Sequence, residues 1–263
     1  MDNDGTLMWM KKWMKCAALG LAALGLVTAG CGQQAQQGEK TYKVGIVQLV
    51  EHSSLDDANR GFVDGLKERG YEEGKNLTID RQNAQADQSN LQNIVQRFIS
   101  DKVDLICAIA TPAVQSAANA TRDIPIVGTA VTDYVSAKVV ASNDAPGGNV
   151  TGTSDLAPIA EQIDLLMALY PNAKTIGTIY SSSEINSEIQ VKAMKAYAES
   201  KGLTVRMATI STVNDIQQAA QSMVNDVDVF YEPTDNVIAS AIPTLTSITD
   251  PAGKGVICGY VGG

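Results

Sequence analysis

KVGIVQLVEHSSLDDANRGFVDGLKERGYEEGKNLTIDRQ, residues 43–82, carries two different periods in succession. Lys43 to Val50 is a short run rich in Val and Ile, which reads as a buried strand. Leu55, Ala58, Phe62 and Leu66 then recur at near-helical spacing, and the segment ends on Gly70, the residue that most easily takes the left-handed backbone closing a helix. NLTIDRQ, residues 76–82, is a second strand. Strands joined by a helical crossover run parallel and are covered by helices on their faces.

The same unit recurs down the chain. In 87–101, Leu91, Ile94, Val95, Phe98 and Ile99 form one helical stripe, followed by the strand DLICAIA at 104–110. A short helix at 111–121 and the strand IPIVGTAV at 124–131 complete the first half. Residues 141–155, ASNDAPGGNVTGTSD, are small and polar around Pro146, Gly147 and Gly148, and they interrupt the alternation. It resumes with helices expected at 158–169, 184–200, 214–223 and 236–249 and strands at 174–180, 203–209, 226–232 and 255–260. The expected fold class is α/β with two doubly wound parallel-sheet lobes: a first lobe over 41–140, a hinge or crossover over 141–155, and a second lobe over 156–263.

Before the first strand the chain has another character. Lys11, Lys12 and Lys15 precede the apolar run Cys16 to Val27, and Thr28, Ala29, Gly30 and Cys31 follow, as in an export signal over residues 1–31. The run is well short of the roughly 20 residues that span a bilayer as a helix. Met10 is an alternative start, because Asp2 and Asp4 stand where a signal peptide wants bases. Cysteine directly after Thr-Ala-Gly is similar to a lipobox, so Cys31 is the candidate lipidation site; ordinary secretion is the competing reading. Two acyl chains, at about 0.8 kcal/mol per buried CH₂, would anchor the protein stably outside the cell membrane or in a periplasm. The Gln-rich residues 32–40 read as a flexible tether.

Charge excludes one class of partner. The whole chain carries a formal −9, and loss of the leader with its three lysines and two aspartates makes it −10, which argues against nucleic acid. Cys107 and Cys258, the cysteines outside the leader and lipobox, stand in separate apolar strands with no metal spacing and no disulfide framework. No metal and no cofactor is expected.

In open parallel sheets, ligands sit beyond the carboxyl ends of the strands. The turns there are EHSS, Thr111-Pro112, VTD at 131–133, TSD at 153–155, SSSEINS at 181–187 and PTDN at 233–236. Each could be polar merely to cap a helix, but six such turns converging on one cleft suggest a polar ligand.

YKVGIVQLVEH, NAQADQSNLQNI, DLICAIATPA, PIVGTAVTD, GGNVTGTSD and EPTDNVIAS, in that order, resemble the substrate-binding lipoproteins of ABC transporters, in the branch associated with tryptophan and other aromatic amino acids. The resemblance runs from Tyr42 to about Ala252 and implies a type I periplasmic-binding-protein fold, an ABC permease as membrane partner, and a monomer. Two departures stand out: the chain stops at GYVGG, as though truncated before a return to the first lobe, and Tyr134 stands where a proline is commoner.

An amino acid needs donors for its carboxylate and an anion for its ammonium. Helix starts supply the donors: Ser53, Ser54, Thr111 and Ala113 on the first lobe, Ser182, Ser183, Asn186 and Ser187 on the second. Asp133, Asp155 or Asp235 is the expected ammonium partner, and Thr132, Ser154 and Asn236 complete the set. Tyr134, Tyr180 and Tyr231 would stack on an aromatic ligand, tryptophan first, or else pack at the lobe surface; a branched-chain amino acid is the second ligand class. An enzyme would have to start from His52 beside Glu51, with no catalytic motif around them, and is not expected. The alternative function is a sensor that presents its closed state to a membrane receptor.

Overall fold

The computed structural model of the chain describes residues 40–260. The expected signal peptide 1–31 with Cys31, and all but the last residue of the expected tether 32–40, lie outside the described residues.

The first lobe runs β1 (Tyr42–Gln48), α1 (Ser53–Glu68), β2 (Leu77–Asn83), α2 (Gln88–Ser100), β3 (Leu105–Ile109), α3 (Thr111–Ala120), β4 (Ile126–Val131) and β5 (Val150–Ser154). The second runs α4 (Ile159–Leu169), β6 (Thr175–Ser181), α5 (Ile185–Ser200), β7 (Thr204–Ile210), a 3₁₀ turn (Val213–Asp215), α6 (Ile216–Met223), β8 (Val229–Glu232), α7 (Asn236–Ser240), α8 (Ile242–Thr249) and β9 (Val256–Cys258). Among the described residues the strands form two sheets, ordered β2-β1-β3-β4-β5 and β7-β6-β8-β9, with every pairing parallel. Residues 155–158 link β5 to α4, and so one sheet to the other.

Burial follows the expected periods. Leu91, Val95 and Phe98 of α2 are fully buried against the first sheet, with Ile106 to Ile109 beneath them. In β8, Val229 and Tyr231 enter one core cluster while Phe230 enters the other, the period of two that puts successive side chains on opposite faces. Gly45 lets the Phe98 ring lie directly on β1, since a Cβ there would stand 2.6 Å from the ring.

Three expectations change. The stretch 141–155, read as a hinge, ends in β5, an edge strand in which only Val150 is buried; with no alternation of buried and exposed apolar residues, such a strand leaves no periodic trace. The helix expected over 236–249 is two helices. At Ala241 the backbone leaves the helical region (φ −134°, ψ 28°), and Pro243, in the first turn of α8, lacks the N–H that would continue α7. The helix expected from Asn214 starts at Ile216, after the 3₁₀ turn, which Thr212 and Asp215 cap reciprocally.

Tyr134 fills a particular space. Its ring lies over Gly128 and Gly152, and its hydroxyl donates to the Thr153 carbonyl at 3.1 Å. A Cβ on Gly152 would fall 2.1 Å from both the Gly128 oxygen and the Tyr134 hydroxyl. Gly152→Ala is expected to lose about 1–3 kcal/mol of stability by overpacking, read as a lower urea midpoint with an unchanged slope.

Candidate ligand-binding site between the lobes

Parallel strands place the starts of the following helices along one edge of each sheet, and here the two edges meet. The clearest local strain lies at one of these turns: Ala110 joins β3 to α3 at φ 83°, ψ 154°, a conformation that non-glycine residues rarely adopt. It delivers Thr111 buried, with its hydroxyl lacking a hydrogen-bond partner.

Opposite, the second lobe presents a buried polar network. Glu184, just before α5, accepts from Asn186 Nδ2 at 3.1 Å, from Val237 N at 2.9 Å and from Asn236 Nδ2. Asp235 caps α7 by accepting from Ile238 N at 2.9 Å and also takes Ser181 N at 2.7 Å. Gln190, one turn into α5, donates to Thr234 Oγ1 and to Asn186 O at 3.1 Å, and accepts from Thr234 N at 3.3 Å. Three contacts then cross to the first lobe: His52 Nε2 to Asn236 Oδ1 at 3.2 Å, Gln190 Nε2 to Thr132 Oγ1 at 3.4 Å, and Thr132 Oγ1 to Thr234 Oγ1 at 3.4 Å.

The network is acidic and contains no lysine or arginine. Burial, reinforced by the charge of Asp235, pushes the Glu184 carboxyl up to about 8, although three N–H donors pull it back. Asp235 is likewise raised by burial and restrained by the amides it caps. Glu232, fully buried at the end of β8, has neither oxygen in a well-formed hydrogen bond, and burial raises it well above the usual carboxylate range.

The structure sorts the expected residues. It brings Thr132, Asn186, Ser187, Asp235 and Asn236 into this network, with Ser154 behind them donating to the Thr132 carbonyl at 2.7 Å. Ser53 and Ser54 open α1, and Thr111 opens α3. The Ala113 amide is already spent on the Ala110 carbonyl at 3.1 Å. Asp133 turns back on its own loop to accept from Ser136 N and Asn143 Nδ2, which holds its carboxyl below the ordinary range. Ser182 bonds the Ile210 carbonyl and Ser183 the Ser181 hydroxyl, at 3.0 and 2.9 Å. Asp155 differs from the other two aspartates: its carboxyl reaches solvent yet is hemmed in, raised by partial burial and touched by the Thr132 hydroxyl. Tyr134 and Tyr231 are buried inside their lobes, the latter donating to Gln162 Oε1 at 2.6 Å, so packing rather than stacking accounts for both.

Sequence reading missed Glu184, Gln190 and Thr234. Gln190 could have been found, because Ser187, Gln190, Val191, Met194 and Ala198 share one buried helical face. Among the described residues no group of three His, Cys, Asp or Glu side chains is arranged to hold a metal ion, and no helix is long and apolar enough to cross a membrane.

Two hinged parallel sheets that meet at their strand ends, with polar helix starts lining the seam, define a type I periplasmic binding protein. The chain belongs to the ABC transporter substrate-binding protein family, whose profile matches residues 43–260. It is 44% identical over 250 residues to the tyrosine-binding protein of Clostridioides difficile, covering 91% of this chain and 72% of that one. Among solved structures, an ABC domain from Streptococcus pneumonia in complex with L-Trp is 42% identical with a TM-score of 0.80, covering 83% of this chain and 74% of the other. A ligand-free, open substrate-binding protein with adhesive properties from Clostridium difficile is 46% identical, at the same 83% and 74% coverage, with a TM-score of 0.58.

The buried acids give the site a pH signature. A carboxyl whose folded-state pKa is raised stabilises the fold fully below its unfolded pKa and loses that contribution as pH rises through the folded value. For Glu184 the window runs from about 4.5 to about 8. Glu184→Gln cannot ionise, so its melting temperature relative to the parent is expected to rise between pH 5 and pH 9; a constant offset would refute the buried charge.

Proposed function

We propose that the protein is a monomeric extracytoplasmic lipoprotein, anchored through Cys31, that captures an amino acid with an aromatic side chain between its lobes and delivers it to an ABC permease. The observation that carries this reading is the setting of the lobes. At like identity and coverage, the chain superposes far better on the L-Trp-bound domain than on the ligand-free open protein, with TM-scores of 0.80 and 0.58, and its own cross-lobe hydrogen bonds agree with a closed arrangement. The tyrosine-binding relative supports the same ligand class.

The geometry suggests how the ligand lies. The carboxylate goes to the first lobe, where α1 and α3 begin and the buried Thr111 hydroxyl lacks a partner. The ammonium goes to Asp155, since Asp133 and Asp235 are committed to capping their own turns. A charge-assisted bond there contributes about 1.5–3 kcal/mol.

The chain from Gly32 onward contains no tryptophan, so the fluorescence of added L-Trp reports binding directly. Tryptophan or tyrosine is expected to raise the melting temperature, by the equivalent of about 2.7 kcal/mol at one hundred times Kd. Unmoved melts with tryptophan, tyrosine, phenylalanine and the branched-chain acids would overturn the amino-acid reading. Asp155→Asn should weaken binding about tenfold or more, while Asp133→Asn stays within about threefold. Cys31→Ser should abolish incorporation of labelled fatty acid and release the protein from membranes.

A further inference from the structure

Asn186, the second residue of α5, is buried, and its carboxamide is held one way round. Its Nδ2 donates to the Thr234 carbonyl at 2.9 Å and to Glu184 Oε2 at 3.1 Å. A carbonyl can only accept, so the nitrogen occupies that side and Oδ1 the other. This oxygen is buried and has no hydrogen-bond partner among the described residues, where nearly all buried acceptors in folded proteins have one.

Its place is at the seam. The Thr234 hydroxyl lies 3.4 Å from that of Thr132 on the first lobe, and α5 touches α3, the helix that opens with the buried and equally unpartnered Thr111. Of the second lobe's other buried, unpartnered side chains, Thr178 lies within β6, Thr249 ends α8, and Glu232 shares its surroundings with Tyr260 by the ends of β8 and β9. Asn186 alone among them bonds, through its side chain, a residue that meets the first lobe.

We propose that the Asn186 carboxamide oxygen is a specificity-determining acceptor of the cleft: it takes a hydrogen bond from a donor on the ligand's side chain, and so selects aromatic amino acids that carry an O–H or N–H on the ring, tyrosine or tryptophan, over phenylalanine and the aliphatic acids. The proposal rests on the ligand reading given above and narrows it.

The direction of the ligand decides which of its donors arrives. Its carboxylate lies at the start of α3 and its ammonium at Asp155, whose amide is tied to the first sheet through the Val131 carbonyl at 3.0 Å. The amino-acid end therefore faces the first lobe, and the side chain runs toward the second. The wall it meets there has engaged its donors internally: Gln190 Nε2 serves Thr234 and the Asn186 carbonyl, Asn236 Nδ2 and the Val237 amide serve Glu184, and the Ile238 amide serves Asp235. What remains over is an acceptor, Asn186 Oδ1. A phenyl or alkyl side chain would shut that oxygen away from water without a partner, whereas a phenol O–H or an indole N–H satisfies it.

The test compares each donor ligand with a partner of matching shape that lacks the donor: tyrosine with phenylalanine, and tryptophan with 3-benzothienylalanine, in which sulfur replaces the indole N–H. Dissociation constants are measured by calorimetric titration of the full chain in detergent. In at least one pair the donor ligand should bind about 5- to 100-fold tighter. Asn186→Leu removes the oxygen at similar size and should bring the two members of that pair to within about threefold of each other. Asn186→Ala, which crowds nothing, makes the same comparison should the leucine variant fail to fold. Ratios near one in the parent, or a ratio that survives the substitution, would overturn the proposal. Equal binding of all four ligands would sink this specificity alone and leave the amino-acid reading standing, while binding of none would sink that reading itself.

Discussion

Parallel pairing is the constraint on which the rest depends. A strand that must lie parallel to its neighbour needs a crossover, the crossover here is helical in every case but β4 to β5, and the helices of a sheet therefore start at the same edge. Two sheets so built, β2-β1-β3-β4-β5 and β7-β6-β8-β9, each offer one edge of polar turns. Bringing those edges together makes a cleft without any further device. The strain at Ala110 and the two-glycine seat of Tyr134 are local adjustments within that plan.

The second-lobe side of the seam holds Glu184, Glu232 and Asp235 buried, with no lysine or arginine hydrogen-bonded to them among the described residues. An isolated buried carboxylate is costly, and the molecule meets that cost in two ways. Helix starts and carboxamides supply N–H donors to Glu184 and Asp235 in place of a cation. Glu232 has no such donors in good geometry, and burial raises its carboxyl well above the usual range, which favours the neutral form. Asp155, exposed and raised by partial burial, is the acid we propose as the partner of the ligand's ammonium.

Membership of the substrate-binding family accounts for the division of labour between the lobes. Each lobe is packed about its own core, and they meet through cross-lobe hydrogen bonds and through Ala86 of the first lobe, which packs against a core cluster of the second. A ligand that binds at the seam can then shift the balance of states without disturbing either core.

Much of this was legible in the chain itself. Alternating runs of period two and period 3.6 are imposed by backbone geometry over a few residues, so the two lobes and the closing glycines Gly70 and Gly202 could be read locally. β5 could not, because an edge strand with one buried residue has no period. The break at Ala241 does have a local signal, Pro243 in the first turn of α8, which the expected continuous helix over 236–249 passed over. The site divides in the same way: the turns that carry it follow from topology, but their individual roles do not. Asp133, Asp155 and Asp235 are alike in sequence, and only their surroundings make the first two-fold bonded, the second accessible and the third a buried cap. His52 meets Asn236, and Thr132 meets Thr234, across more than a hundred residues, because contacts between distant turns depend on how two rigid sheets are set against each other. Sequence settled what each lobe is, and tertiary structure decided which side chains face one another between them.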